Sequence, residues 1–534
     1  MKNTRRRRLP RGAALAGLTA LTVGLSGCSL SDGGSGSDSG TASGEQVLHV
    51  ALADSEASLS VQDYTTSSFT VLDQLFDPLV RYRADGSFAP ALAESYDISP
   101  DGLTMVFHLR KDVTFSDGTP FDADVARTDL LRWVQDPDNS FLGLTGVTSS
   151  IDATDVSTIT WHLTQAYHSA LNELSLTRPV RFMSPTSFDA SGKETAPIGT
   201  GPYKLKSLDD RRIVLERNDS WWGGKTKLDQ VEFDVIPDAG ARVAALQAGE
   251  VDVIGGDYTA PLALEDAATL TSDDATTVLR AKSTTNLLLT FNVDTGNPAL
   301  ADPRVRQAID LTIDRKGVAD GLFDGAATQA TTVFPSNVPY GPDADPDVTT
   351  DPAQARELLE QAGWTGSGVR SKDGTPLQLD LVLDPSLLPQ ATSLSQALVD
   401  QLGKVGVGVT IRSLDTTAYG TAVSDRDFDL RFYATYGAPY DPYSTLTANF
   451  RSSQEGHLFA SPELDAEIPA ALAASSERSR QAAFDAIWTT LADQVAAVPL
   501  VQLPRLWAVR RSVHGFELGA TEYDLPLTDV TVSR

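Results

Sequence analysis

The closing strands of this chain have no partner beside them. Val498–Leu503 and Ala508–Val513 carry a β pattern, but the residues before them, Ser461–Val495, read as helical. An isolated pair of strands is marginal in water, so these two need a sheet to join. The chain supplies strands well upstream. Val47–Leu52, Gly102–Arg110, Val156–Leu163, Arg212–Arg217, Gln230–Ile236 and Val251–Ile254 have the alternating or continuous apolar character of strands, and Val113–Pro120 reads as strand and turn.

Helical spacing falls between them. It covers Phe69–Val80, the segment capped by Asp122 with Ala126, Leu130, Trp133 and Val134 inward, and Ala241–Ala248 closed by Gly249. Near residue 280 the pattern resets. Thr285–Asn292 is a strand, helices start at Asp302-Pro303 and Asp351-Pro352, and strand Leu377–Leu383, helix Ser393–Gly403 and strand Gly408–Ser413 follow. A chain of 534 residues exceeds what one core usually holds. Repeated βα alternation on both sides of the reset predicts two α/β lobes.

The amino terminus is a separate device. Basic residues run to Arg11, an apolar run covers Ala13–Leu25, and Leu25-Ser26-Gly27-Cys28 follows, the pattern of an export signal over residues 1–27. The apolar run is too short to span a bilayer in the mature protein. Cys28 is the sole cysteine, which excludes a disulfide framework and thiol chemistry in the body. Its setting resembles the bacterial lipobox, which implies lipidation of Cys28. Residues 28–44 then form a Gly/Ser tether with too little apolar surface to fold. The whole chain carries a formal charge of −28, and loss of the six cationic side chains before Cys28 leaves −34. Such a surface repels nucleic acid and anionic headgroups.

Catalytic signatures are missing. The sequence has no Gly-x-Ser-x-Gly, Walker A loop, dinucleotide fingerprint or His-Glu-x-x-His, and its six histidines contain no i, i+4 pair. His108 and His162 lie in alternating strands and read as structural groups. The acidic loop Asp343–Asp351 lacks the ligand pattern of a calcium loop. Ala196–Tyr203 reads as a backbone turn, with too few glycines at the right spacing to cradle phosphate. These features predict a protein that is not an enzyme and has no resident cofactor.

One segment carries a distinctive charge pattern. Glu173–Pro185 places Arg178 and Arg181 in an apolar, proline-punctuated stretch of this acidic protein. Pro179 biases Arg178 toward extended backbone. A rigid guanidinium there suits a bidentate carboxylate or phosphate. Locally, an ion pair with one of the chain's own carboxylates is the commoner use.

Five stretches together resemble the extracytoplasmic solute-binding proteins of the peptide and nickel class of ABC importers. Asp77–Gly86, Phe115–Phe121 and Pro197–Tyr203 resemble marks of the whole family. Glu173–Pro185 and Tyr436–Tyr443 resemble its nickel-binding branch. The resemblance covers about residues 45–534. It implies a two-lobed α/β fold of the periplasmic binding protein type II class, of the large kind with an extra subdomain, closing by a hinge. Lobe I is expected over 45–283 plus 501–534 and lobe II over 284–500, with crossings near Lys282–Thr285 and Pro499–Gln502. It also implies a monomer, held by its lipid at the outer face of the cell membrane, delivering a small ligand to a permease pair with its ATPases.

The nickel-binding branch takes its metal as a chelate with a small metallophore such as histidine, so most donors come from the small molecule. Position by position, the resemblance implies Arg178 as the chelate-gripping arginine. Tyr64, Phe69 and Phe141 become walls on one lobe, Tyr436 and Tyr440 walls on the other. His457 is the metal-ligand position, with Arg451 or Gln454 as other occupants of that space. One departure matters: a second pocket arginine of the branch aligns with Asp138, which points to a less anionic ligand. Peptide capture is the alternative within the family. Peptide-binding relatives anchor the ligand's amino terminus with an aspartate where this chain has Ala438. A sensory or chaperone-like envelope protein is a third class.

Overall fold

A computed structural model describes residues 45–53, 59–61, 69–256, 261–342, 348–474 and 476–533. The signal peptide, Cys28, the tether and Tyr64 lie outside the described residues. Among the described residues no helix is long and apolar enough to cross a membrane.

The terminal strands find their sheet by becoming one. Ala497–Arg510 is a single strand that pairs antiparallel with another unbroken strand, Thr276–Phe291. These two are the middle of a mixed sheet whose path strands are β1 (Val47–Leu52), β2 (Tyr203–Asp209), β3 (Arg212–Arg217), β4 (Gln230–Val235), β5 (Val253–Gly255), β6 (Thr276–Phe291), β7 (Gln378–Leu383), β8 (Gly408–Ser413), β9 (Leu430–Ala434) and β10 (Ala497–Arg510). Across the sheet the order is β8-β7-β9-β6-β10-β5-β1-β4-β3-β2.

The central pair is not uniform. Thr276 to Lys282 pair with Arg510 to Pro504; the register then breaks and resumes at Asn286 opposite Gln502. On one side of the break β10 continues onto β5, Val253 opposite Val509. On the other, β6 continues onto β9, Leu287 opposite Ala434. Two half-sheets are thus carried on two shared strands, with an irregular stretch at Ser283–Thr285 between them. The cores follow this division. One large cluster draws on residues from Leu287 to Val501, among them Phe291, Ile309, Leu381 and Leu398. Another joins Leu48, Val50, Phe76 and Phe233 to Trp507, Leu525 and Val530.

A four-stranded antiparallel sheet, in the order Ala93–Ile98, Thr104–Leu109, Thr158–Leu163, Thr148–Asp155, stands apart. Its inward residues Met105, Phe107, Ile159 and Trp161 pack with Trp133 of the helix Ala123–Val134, which Asp122 caps as expected through the backbone N–H of Val125.

Several local expectations are corrected. The helix expected over Phe69–Val80 is α1 (Phe69–Leu75), because Pro78 cannot continue it and Val80 opens a short strand with Arg81 and Tyr82. The 461–495 region is two helices, Pro462–Ala473 and Glu477–Asp493, the second with its own serine capping box at Ser476. Val113–Pro120 forms only an isolated bridge between Thr114 and Pro120. The helix expected from Ser393 begins slightly earlier, as α2 (Ala391–Gly403).

Buried charge fastens the site-bearing segments to the sheet. Asp77, 1% exposed, accepts the indole N–H groups of Trp221 and Trp222 at 3.0 and 2.7 Å. Arg81 reaches Asp73 at 3.0 Å and Asp77 at 3.5 Å, and buried Arg181 lies 4.0 Å from Asp73. Gln74 donates to the carbonyl of Leu525 at 2.7 Å, pinning the C-terminal segment to α1. Burial pushes the Asp77 carboxyl up and the Arg181 guanidinium down to about 10. Removing Asp77 leaves the indole N–H groups of Trp221 and Trp222 without their acceptor, while Arg81 keeps partial access to water, so the cost is about 1–3 kcal/mol. Asp77→Ala is therefore expected to lower unfolding free energy by about that amount in urea titration, whereas Asp138→Ala, on an exposed turn, changes it little.

Candidate ligand-binding site

Residues 171–184 are all buried although, past the short helix Ala170–Ser175, they form no regular element. Side chains anchor them instead. Glu173 accepts the backbone N–H groups of Gly143 and Leu144 at 2.8 and 3.0 Å and the hydroxyl of Tyr167. Asn172 donates to the carbonyl of Pro439 at 3.3 Å, tying this stretch to the 436–443 loop. Arg178 is fully buried, its guanidinium carbon 4.4 Å from the centroid of the Phe69 ring.

From that ring an aromatic line runs across the molecule. Phe69 lies 4.7 Å from Tyr523, Tyr523 5.0 Å from Tyr440, Tyr440 6.1 Å from Tyr436 and Tyr436 6.2 Å from Tyr433, centroid to centroid. All but the first contact are tilted or edge-on arrangements of tyrosines, and the Tyr523 hydroxyl donates to the carbonyl of Tyr436. Burial raises the Tyr440 hydroxyl well above its ordinary range, against the pull of Arg178 and Arg181. That hydroxyl has no hydrogen-bond partner among the described residues.

The 436–443 loop is shaped by its contacts with the break in the central pair. Gly437 has φ +78°, and a Cβ there would meet Thr284 Oγ1 at 2.8 Å, Thr285 Oγ1 at 2.9 Å and Glu522 Oε2 at 3.0 Å. Asp441 accepts the Gly437 N–H at 2.7 Å and the Thr445 hydroxyl. Glu522 in turn accepts from Ser283 Oγ (2.7 Å), Thr284 N (3.0 Å) and Thr284 Oγ1 (2.8 Å).

A cavity of about 330 Å³ opens at this break. Its walls come from the end of β7 and start of α2, from β9, from Ser283–Leu287 on β6, from Leu503–Leu506 on β10, and from Pro261–Leu264. Leucines, Phe323 and Pro389 make most of the wall; Asp384, Arg431, Arg505, Tyr433, Tyr436 and Glu522 supply polar groups.

The sequence-derived residues divide. Arg178, Phe69, Tyr440 and Tyr436 come together, and of these Tyr436 reaches the cavity wall. Phe141 packs half-buried against the hydrophobic cluster that holds Phe69 and Tyr440. His457 and Arg451 lie elsewhere. His457 Nε2 sits 3.2 Å from Asp294, which also takes Arg426 at 2.8 Å, and its Nδ1 is 2.9 Å from the carbonyl of Gln454. Arg451 lies two residues past the helix Tyr443–Asn449, near Asp465, whose carboxyl is held down chiefly by the Ser452 hydroxyl and backbone N–H, with a smaller pull from Arg451. Asp138 is exposed on a turn capped by Asp136.

Sequence reasoning missed Asp384, Arg431 and Glu522. The first had a signal: it follows strand Leu377–Leu383, and ligands of α/β sheets gather at the carboxyl ends of strands. Glu522, more than 200 residues from the Ser283 and Thr284 it holds, had none. Among the described residues, side chains with metal-ligand spacing meet at His49, Glu232 and Asp234, but Arg212 pairs with both carboxylates at 2.6 Å, so the cluster reads as structural.

A mixed sheet hinged on two shared strands, with an apolar cavity at their break, defines a two-lobed ligand-binding protein. The chain belongs to the bacterial extracellular solute-binding proteins, family 5, whose middle-region model matches residues 87–457. The nickel-binding periplasmic protein of Escherichia coli K12 is 32% identical over 454 residues, 82% of this chain and 85% of that protein. A glutathione-binding protein, GsiB of Salmonella paratyphi A, is 28% identical and covers 84% of this chain and 88% of its own length. Among solved structures, NikA from Brucella suis in complex with Fe(III)-EDTA superposes with a TM-score of 0.85 at 30% identity, covering 92% of this chain and all of that one. An ABC transporter substrate-binding protein from Sinorhizobium meliloti does so at 0.76 and 37% identity, covering 91% of this chain and all of that one.

Buried carboxyls give the site a pH signature. Burial raises Asp441 and Glu173 to about 7 and Asp129 to about 6. For an acid whose folded pKa lies above its unfolded value, the folded state binds the extra proton. Its stabilising contribution is present below the unfolded pKa near 4 and is lost as pH rises through 6–7. Thermal denaturation is expected to show Tm falling by several degrees between pH 5 and pH 8. Asp441→Asn should flatten that slope; an unchanged slope would remove Asp441 from the account.

Proposed function

We propose that this protein captures nickel, or a related metal, as a chelate with a small metallophore in the interlobe cleft and passes it to a membrane permease with its ATPases. The observation that carries the reading is the buried Arg178 stacked on Phe69, at the head of an aromatic line that reaches the cavity wall at Tyr436 and Tyr433. An arginine so placed is a carboxylate grip, and flat aromatic walls suit a compact complex. Identity of 32% with a nickel-binding protein supports the same reading. The absence of a cysteine in the body and the placement of His457 on Asp294 fit a metal that brings its own donors. The metal here is cargo, so the protein needs no resident cofactor.

In this reading the lobes are residues 45–283 with 501–534, and 284–500, and they close about the irregular stretch of the central pair. Cys28 carries the lipid, residues 29–44 are the tether, and the monomeric body works at the outer face of the cell membrane. Peptide capture is the second reading. The similarity to a glutathione-binding protein favours it, while Ala438, in place of the amine-anchoring aspartate of peptide binders, speaks against it.

Calorimetric titration with nickel, nickel plus histidine, and a dipeptide mixture separates the two. Binding that requires nickel and chelator together is the expected result; heat from dipeptides alone would move the protein to the peptide branch. Arg178→Ala is expected to weaken chelate binding by about 1.5–3 kcal/mol, the worth of a charged hydrogen bond. Unchanged affinity with lost folding stability would make the arginine structural.

A further inference from the structure

The four-stranded sheet and the helices Pro462–Ala473 and Glu477–Asp493 meet in a contact apart from the cavity. Leu472, half-buried, packs against the hydrophobic clusters of both. In the two-lobe reading the sheet belongs to lobe I and the helices to lobe II, so this contact exists only while the lobes are together.

His168 sits in the contact, half-buried, on the turn that follows Tyr167. The turn is fixed. The Tyr167 hydroxyl bonds Glu173, and the Tyr167 carbonyl accepts the Ala170 N–H at 3.3 Å. Gly102, at φ +68°, brings the neighbouring hairpin so near that a Cβ there would stand 3.6 Å from the His168 ring. Its Nε2 is buried and has no hydrogen-bond partner among the described residues.

Across the contact stands Arg480, 6% exposed. Its Nη1 donates to the Tyr340 hydroxyl at 2.6 Å and to Glu477 at 3.0 Å, and its Nη2 to the carbonyl of Ala474 at 3.2 Å. Tyr340 is itself locked. Its ring stacks on Phe484 at 5.3 Å, its hydroxyl donates to Glu477 at 2.6 Å, and its backbone holds φ +54°, which a tyrosine keeps only where its surroundings impose it. The guanidinium is therefore held in place and cannot swing away from the histidine.

The charges that face His168 are Arg480, fixed and dry, and Glu477, whose side chain is 79% exposed. Asp101, on the hairpin, is turned to the Ser99 hydroxyl and the backbone N–H of Leu103. The nearby Tyr167 and Tyr443 stay neutral, since burial raises both hydroxyls well above their usual range. Burial and Arg480 hold the His168 ring below the ordinary histidine range, and Glu477 opposes them only in part.

We propose that His168 and Arg480 form a proton-operated catch between the lobes: the contact closes on a neutral imidazole and opens when the ring takes up a proton. The inference rests on the two-lobe reading and on no particular ligand. The closed contact disfavours the imidazolium, so the open form binds the extra proton. Closure has its full strength above the ordinary histidine value of about 6.5 and weakens as pH falls through it. Acid therefore opens the cleft and lowers its affinity for whatever it holds.

The test needs no ligand. Double electron–electron resonance is measured on the full chain carrying Cys28→Ser, with spin labels at Val156→Cys and Ala482→Cys, both exposed positions on opposite sides of the contact. Distances are compared at about pH 7.5 and about pH 5.5, either side of the ordinary histidine value. The expected result is a long-distance population that grows at least threefold on acidification, and a loss of that growth in His168→Gln. Glu173, Asp129 and Asp441 also take up protons as pH falls, but burial raises them, so they favour the packed form in acid and remain as the baseline in His168→Gln. Growth that persists in His168→Gln overturns the catch. So does a distance indifferent to pH when Leu472→Asp, which pries the contact apart, lengthens it; the hinge then stands without this switch. One fixed distance in every variant, Leu472→Asp included, overturns the two-lobe reading and the catch with it. Should His168→Gln not fold, the midpoint of the unaltered contact decides: a midpoint below about 6.5 supports the catch, and a higher one overturns it.

Discussion

Glu522 holds together three parts of the chain that share no sequence neighbourhood. Its two carboxylate oxygens take the hydroxyls of Ser283 and Thr284 and the backbone N–H of Thr284, where β6 loses its register with β10. A break in a β-ladder leaves backbone donors without strand partners, and a buried donor without a partner costs about 1–3 kcal/mol. A carboxylate from the C-terminal segment satisfies one, and Thr284 Oγ1 passes the order on by accepting the N–H of Ala438 at 2.8 Å. Gly437 fits against this group only because it lacks a side chain. The irregular stretch, the site loop and the C-terminal segment are therefore one hydrogen-bonded unit at the point where the half-sheets meet. A hinge built this way has few ladder bonds to break on bending and a fixed geometry at each end.

Charge enters the interior wherever a site segment must be held without regular structure. Residues 176–184 form no helix or strand, so their backbone lacks the ladders that normally fix a buried segment. Glu173, Asp129 and Asp73 supply the fixing: Asp129 accepts the N–H of Met183 at 2.9 Å, and Asp73 faces Arg181. The same burial that makes these bonds strong raises Glu173 and Asp129 toward neutrality. A stretch presented this way is rigid, which is what the grip proposed for Arg178 requires.

The α/β class and most strands of the large sheet were legible in the sequence because their burial shows as periodicity: β1, β3, β4, β7 and β8 fall where alternation or apolar runs place them. Boundaries failed where a neighbour rather than the local pattern decides. Thr276–Phe291 reads as a strand only from Thr285, since its earlier half is polar on one side and paired on both. β9 was missed because its face carries Arg431 and Tyr433 toward a cavity, which erases the apolar signature. The site shows the same asymmetry. Arg178, Phe69, Tyr436 and Tyr440 were legible through family motifs, and the structure gathers them. His457 and Arg451 were placed by alignment across a loop of different length, and in the structure the His457 ring faces Asp294.

The two ends of the site have opposite demands on a ligand. Arg178, buried at the head of the aromatic line, is a cation in a chain whose formal charge is −28, and an anion approaching that surface meets repulsion at long range. Screening confines that repulsion to roughly 8–10 Å at physiological ionic strength, so it shapes approach more than the bound state. Within the cleft the balance is local. Asp384 and Glu522 put carboxylates on the cavity wall, and Arg431 and Arg505 put guanidinium groups there. Under the proposed chelate reading, a multiply charged anion would gain at Arg431 and Arg505 and lose at Asp384 and Glu522. Under that reading a ligand of low net charge is the one such a mixed wall tolerates, and specificity comes from the groups that oppose the wrong ligand as much as from those that grip the right one.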